Sequence, residues 1–184
     1  MILGASFNVR VFSAGSGIFT WVADSSSIQH NWTNISNSLT PGGSAEELVV
    51  TPIYNPHSVY DNHPIGVWWN SSSWTIFNQD LAAMPANAAF NVVAVSGGSG
   101  DIFVQTGTAS NKVGDYTVIS GDSATDNQPS AILECTPLYN PNSVYNNHNI
   151  GVWYNAPHWT IYNQDLSAIP NNASFNCIVG PLTS

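Results

Sequence analysis

The sequence predicts an all-β fold made of two tandem antiparallel repeats, each a sandwich or barrel-like unit, with a spare strand at the N-terminus. Three observations carry this. Thr51-Pro-Ile-Tyr-Asn-Pro-His-Ser-Val-Tyr-Asp-Asn-His-Pro-Ile-Gly-Val-Trp-Trp-Asn returns as Thr136-Pro-Leu-Tyr-Asn-Pro-Asn-Ser-Val-Tyr-Asn-Asn-His-Asn-Ile-Gly-Val-Trp-Tyr-Asn, 85 residues further along a chain of 184. A match this long at a fixed offset marks a duplicated folding unit. Both copies continue through Trp74-Thr-Ile-Phe-Asn-Gln-Asp-Leu and Trp159-Thr-Ile-Tyr-Asn-Gln-Asp-Leu and close on Ala89-Phe-Asn-Val-Val and Ser174-Phe-Asn-Cys-Ile. The closing motif occurs a third time at the front, as Gly4-Ala-Ser-Phe-Asn-Val-Arg-Val-Phe, so two repeats have three closing strands between them. Finally, the apolar runs are short, β-branched and set between Gly, Pro, Asn and Ser, which is the pattern of frequent strands and turns.

In chain order, Phe7-Asn-Val-Arg-Val-Phe alternates apolar and polar residues and puts Phe7, Val9 and Val11 on one face, as a half-buried strand does. Ser13-Ala-Gly-Ser-Gly breaks it. Ile18-Phe-Thr-Trp-Val and Ile102-Phe-Val-Gln-Thr read as the next strand of each copy, followed by Trp32-Thr-Asn-Ile-Ser and Tyr116-Thr-Val-Ile-Ser. Leu48-Val-Val-Thr-Pro-Ile-Tyr and Leu133-Glu-Cys-Thr-Pro-Leu-Tyr are strands pushed toward an edge or a bulge, because Pro52 and Pro137 cannot donate to a ladder. Asn55 to His63 is turn chemistry. Ile65-Gly-Val-Trp-Trp and Trp74-Thr-Ile-Phe form a hairpin across Asn70-Ser-Ser-Ser, and Ala89 to Val95 closes the unit. A helical period is expected only at Leu81-Ala-Ala-Met, where Pro85 ends it. The domains are therefore 1–13 (spare strand), 14–96 (first repeat) and 97–184 (second repeat).

Charged residues make up 7% of the chain, with only Arg10 and Lys112 against eleven acids and a net charge of −9. So few cations cannot release counterions from a phosphate backbone or hold an anionic lipid surface, which argues against nucleic acid and membrane surfaces as partners. No apolar run approaches the roughly 20 residues that span a bilayer. Met1-Ile-Leu-Gly lacks the basic region and long apolar stretch of a signal peptide, so either export has removed one or the sequence starts inside a longer chain.

Cys135 aligns with Val50, and Cys177 with Val92. Positions that are Val/Val in one copy and Cys/Cys in the other are expected to be neighbours, which predicts a disulfide and an oxidising compartment. Two separate buried thiols are the alternative. The bridge would also assign the closing strands: the last belongs to the second repeat, the middle one to the first, and residues 4–12 are left over.

Asn-His-x-Ile-Gly-Val-Trp-Tyr, Trp-x-Ile-Tyr/Phe-Asn-Gln-Asp-Leu, Ala-x-x-Pro and Ala-x-Phe-Asn-Val resemble the hallmark motifs of a bacterial secreted tandem β-repeat domain of unknown function. The resemblance covers most of each repeat and implies an all-β extracellular module, without supplying an activity.

Trp68, Trp153, Trp74 and Trp159 are identical between copies and read as core. Trp69/Tyr154 and Phe77/Tyr162 change ring type between copies and, with His158, are the candidate surface for stacking a glycan. His63 and His148 each follow Asn in a tight turn and are expected to bond backbone groups, since no second ligand stands at zinc spacing. Asp80 and Asp165 offer one carboxylate per unit, too few for a calcium site. No metal or cofactor is expected. The chain has no Gly-x-Ser-x-Gly elbow and no pair of acids that recurs in both copies, so it does not read as an enzyme. Four sequons make Asn31, Asn34, Asn70 and Asn172 candidate glycosylation sites.

The leading expectation is an extracellular structural protein, on a bacterial cell surface, whose copies join head to tail into a fibre by donating Phe7, Val9 and Val11 as a strand to a neighbour. Residues 4–12 could instead end a preceding repeat or fold back onto the first. The alternative function is a tandem carbohydrate-binding module, in which duplication raises avidity for a repetitive polysaccharide.

Overall fold

The computed structural model describes residues 4–15, 17–40, 42–96 and 102–180. Met1–Leu3, on which part of the signal-peptide reading rests, lie outside them, as do the Gly-Ser linker at 97–100 and the last residues of the 97–184 segment.

The first repeat contributes β1 (Ile18–Val22), β2 (Ile28–Gln29), β3 (Trp32–Asn34), β4 (Glu46–Ile53), β5 (Ile65–Trp69), β6 (Trp74–Asn78) and β7 (Ala89–Ser96). The second contributes β8 (Ile102–Thr106), β9 (Lys112–Val113), β10 (Tyr116–Val118), β11 (Ile132–Leu138), β12 (Ile150–Asn155), β13 (His158–Asn163) and β14 (Ser174–Gly180). Each repeat is a two-sheet sandwich with the same order. One sheet is β1-β7-β4 in the first repeat and β8-β14-β11 in the second; the other is β2-β3-β6-β5 and β9-β10-β13-β12. The closing motif is thus the middle strand of its sheet, hydrogen-bonded on both sides.

That central position explains the alternation of the motif. Phe90 and Val92 point into a core with Leu48, Val50, Val67, Trp74 and Ile76, and Phe175 and Cys177 do the same with Leu133, Trp159 and Ile161. Phe90 and Phe175 are wholly buried, and burying a Phe side chain contributes about 1.5–3 kcal/mol. Trp74 and Trp159 keep their indole N–H satisfied while buried, donating to Gly43 O at 2.7 Å and Gln128 O at 2.9 Å. Gly66 has no room for a side chain: a Cβ there would lie 2.8 Å from the Phe77 ring and 3.1 Å from the Pro137 carbonyl.

Several expectations change. Leu81-Ala-Ala-Met is not helical, because Leu81 sits at φ 65° and the Asp80 carboxylate accepts the Ala82 N–H at 3.0 Å, turning the chain instead. The two-residue strands β2 and β9 are too short to leave a periodic signal. Trp153 is exposed rather than core, and Trp68 only half-buried. Residues 5–13 form no strand, and Phe7, Val9 and Val11, expected on one half-buried strand face, are 69%, 67% and 89% exposed.

Cys135 and Cys177 form a disulfide directly across β11 and β14, in the register that Val50 and Val92 occupy across β4 and β7. A closure over 42 residues contributes on the order of 3–4 kcal/mol in the chain-entropy treatment. Reduction is therefore expected to destabilise the second repeat by about that amount in chemical denaturation while sparing the first. Equal losses in both repeats would show that the bridge does not act locally.

Candidate docking interface

A strand paired on one side only presents a row of free backbone donors and acceptors. In the three-stranded sheet of the first repeat β4 is such a strand, with β7 beside it and, among the described residues, no strand paired on its other side. Side chains of the second repeat fill that side. Thr136 Oγ1 accepts the Val50 N–H at 2.9 Å and donates to Val50 O at 3.4 Å, and Asn176 Nδ2 donates to Leu48 O at 3.1 Å. Both side chains are buried.

The seam continues along β5. β11 runs parallel to it with Leu138 opposite Val67, merging sheets of the two repeats into one of seven strands. Tyr139 N–H donates to Val67 O at 3.0 Å, Asn140 Oδ1 accepts the Trp69 N–H at 2.9 Å, and Asn146 N–H donates to Gln79 Oε1 at 2.9 Å. The Tyr139 ring packs edge-on against Trp68 and Phe77, and Tyr145 against Phe77. Behind the edges, Val49 and Val93 of the first repeat form one apolar cluster with Ile102 and Ile178 of the second.

Each docking side chain of the second repeat has a counterpart in the first. Thr51, Tyr54, Asn55, Tyr60 and Asn91 stand where Thr136, Tyr139, Asn140, Tyr145 and Asn176 stand, and all five are exposed. The two tyrosines already hold the docked arrangement, with ring centroids 4.7 Å apart against 4.8 Å for Tyr139 and Tyr145. The first repeat therefore presents a preformed copy of the docking face. On this basis Asn176→Ala should cost about 1–3 kcal/mol in denaturant unfolding, because Leu48 O loses its donor. Asn91→Ala, the same change on the exposed copy, should stay within about 0.5 kcal/mol.

Asp61 is the counterpart of Asn146. Asn146 Nδ2 donates to Asn163 Oδ1 at 2.8 Å, but a carboxylate offers no proton to Asn78 Oδ1, the matching acceptor in the first repeat. Among the described residues Asn78 Oδ1 and both Asp61 oxygens are buried with no well-formed hydrogen bond. Burial pushes the Asp61 carboxyl up to about 6, with the His63 charge and the neighbouring Asn78 side chain opposing it. An acid that is preferentially neutral when folded adds stability below its ordinary value of 3.8 and loses it as pH rises through about 6. Asp61→Asn supplies the missing donor and should raise Tm by roughly 2–5 °C at pH 7.5, with the gain vanishing in melts below pH 4; a gain independent of pH would refute this assignment.

The spare segment makes side-chain contacts with the second repeat. Asn8 Nδ2 donates to Leu133 O at 2.9 Å. Burial pushes the Glu134 carboxyl up, and the Arg10 backbone N–H and the Arg10 charge pull it back down. The Arg10 guanidinium stacks 4.7 Å from the centre of the Phe12 ring. Asn8 and Arg10 alternate with the predicted Phe7, Val9 and Val11; Asn8 aligns with Asn91 and Asn176, and Arg10 with Val93 and Ile178.

The remaining candidates scatter. Phe77 is buried under Tyr139 and Tyr145, so it does not belong to an exposed stacking surface. Trp69, Tyr154 and Tyr162 are half-buried, and His158 bonds Asp126 at 2.8 Å. His63 and His148 bond Asp80 and Asp165, each at 2.7 Å, rather than backbone groups. Among the described residues no three His, Cys, Asp or Glu side chains gather as a metal site, and no helix is long and apolar enough to cross a membrane. Asn31, Asn34 and Asn70 commit their Nδ2 groups to Asn78 O, Ser27 O and Asn34 Oδ1, which leaves Asn172 as the exposed sequon whose side chain makes no such bond.

A family profile described as "Domain of unknown function (DUF7452)" matches residues 1–94 and again residues 93–179. No curated protein and no solved structure matches the chain.

Proposed function

With the chain belonging to the DUF7452 family, a domain of unknown function, we propose that it is an extracellular structural building block that joins units head to tail, with residues 4–12 as the strand it donates. The observation that carries this reading is the exposed row of Phe7, Val9 and Val11, whose counterparts Phe90, Val92, Phe175 and Cys177 are core in both repeats. An apolar row on a segment that is a middle strand elsewhere is stable in water once another sheet covers it, and strand addition is the mode that does so. Insertion between two strands would give it two ladders of backbone hydrogen bonds.

The disulfide supports an oxidising setting such as a bacterial cell surface or the medium. The scarcity of charge suits contacts made by amides, hydroxyls and rings, as at the seam between the repeats. A head-to-tail contact gives a fibre if it never returns to its start and a ring if it does.

Glycan binding is the second reading. A groove of about 790 Å³ beside the second repeat is lined by the exposed Trp153 together with Tyr154 and Tyr162. The matching surface of the first repeat is the one that receives a neighbouring unit, which favours protein as the occupant.

Deleting residues 1–12 tests the proposal. Assemblies formed by the full chain, followed by sedimentation and electron microscopy, are expected to be lost while the disulfide and β-sheet spectrum persist. Undiminished assembly by the shortened chain would exclude strand donation.

A further inference from the structure

Residues 4–12 repeat, on the second repeat, the contact that the closing strand of the second repeat makes with the first. Asn176 Nδ2 bonds Leu48 O at 3.1 Å, and Asn8 Nδ2 bonds Leu133 O at 2.9 Å. Asn8 and Asn176 hold the same place in the closing motif, and Leu48 and Leu133 the same place in the long repeat. Two residues further along each closing segment, and one residue further along each edge strand, the match holds again. Ile178 shares an apolar cluster with Val49, and between their counterparts the Arg10 backbone N–H bonds the Glu134 carboxylate. Phe12 and its counterpart Val95 join the same cluster, so the outward faces of all three closing segments converge on one centre.

The order of units fixes what this means. The closing strand of the second unit docks on the edge of the first. The closing strand that precedes the first unit docks on the edge of the second. Applied once more, the same step brings the docking face of the first unit, with Asn91 and Thr51, onto the edge of the unit to which residues 4–12 belong. Three steps return to the start.

We infer that residues 4–12 are the closing strand of a third unit, and that the space between the docking face of the first repeat and the edge of the second is built for the body of that unit, three units closing a ring. The occupant is a sandwich of this same family without a closing strand of its own, which takes Phe7, Val9 and Val11 into its core. The two surfaces it would touch are both open. A groove of about 630 Å³ is lined by Val9 and Val11 on one side and Thr51 and Asn91 on the other. Across the second repeat, Trp153 is exposed where its counterpart Trp68 receives Tyr139. The charge pattern matches as well: the edge carries Glu134 where the first repeat carries Val49, and the segment beside it carries Arg10, one of two basic residues in the chain, where the other closing strands carry Val93 and Ile178.

This inference names the acceptor in the strand-donation reading and rests on it, but makes the assembly a closed one. The test is an extended chain in which residues 102–173, the body of a repeat without β14, run directly into Ser6 and the rest of the protein. Residues 6–12 should then serve as the middle strand of the added unit. The expected result is a monomer in which the Val9 and Val11 amides exchange on the order of 100-fold more slowly than in the unextended chain. Unchanged exchange at these amides overturns the inference. Because the junction itself could misfold, the unextended chain provides a second measurement. Asn8→Ala should accelerate exchange of the Arg10 amide about tenfold, while Asn91→Ala leaves it as it was; indifference to Asn8→Ala equally overturns the inference. If the extension folds but the unextended chain never assembles, only the strand-donation function falls. If the chain assembles through residues 4–12 and the extension stays unstructured, only the closed three-unit arrangement falls.

Discussion

The open side of β4 is the constraint on which the arrangement of the molecule depends. A sandwich whose smaller sheet has only three strands ends in an edge of apolar, β-branched residues, Leu48-Val-Val, and such an edge invites other strands to pair with it. Pro52 blunts one position. Thr136 and Asn176 cap its centre, using side chains in place of a fourth strand to satisfy the Val50 N–H and the Leu48 and Val50 carbonyls. A side-chain seal of this kind ends the sheet, whereas another strand would extend it.

One motif performs two tasks because a strand has two faces. In Phe-Asn-Val the apolar residues face the core of their own unit and Asn faces outward to the next unit. The outward Asn is exposed at position 91, buried at 176 and bonded to a neighbouring edge at 8, although the local sequence is nearly the same. Core formation and unit-to-unit docking are therefore coupled through a single strand, and duplicating the unit duplicates both. The Val/Val to Cys/Cys exchange affects only the inward face, which is why the disulfide leaves the docking face unaltered.

The architecture was legible to the extent that periodicity recorded it. The repeat, the hairpin of Ile65–Trp69 with Trp74–Asn78, and the pairing of Cys135 with Cys177 all follow from residues that alternate or co-vary between copies. The seam was not legible, because Thr136, Asn140 and Asn176 are identical to Thr51, Asn55 and Asn91, and only position in space separates a buried docking group from an exposed one. Rings misled for the same reason. Phe77 and Trp153 differ in burial from the expectation since one lies under the neighbouring repeat and the other faces the side where no repeat docks. The departure at Leu81 had a local cause, a side-chain turn at Asp80 that competes with helix formation.

The central claim is that side chains of the second repeat seal the edge of the first. Native-state hydrogen exchange at the Val50 amide tests it most directly, since this N–H lies on the unpaired side of β4 and bonds only Thr136 Oγ1. If the account is right, Val50 exchanges as slowly as amides in the middle strand β7, and Thr136→Val releases it selectively. Exchange at Val50 as fast as at a solvent-facing edge, in the unaltered protein, would contradict it.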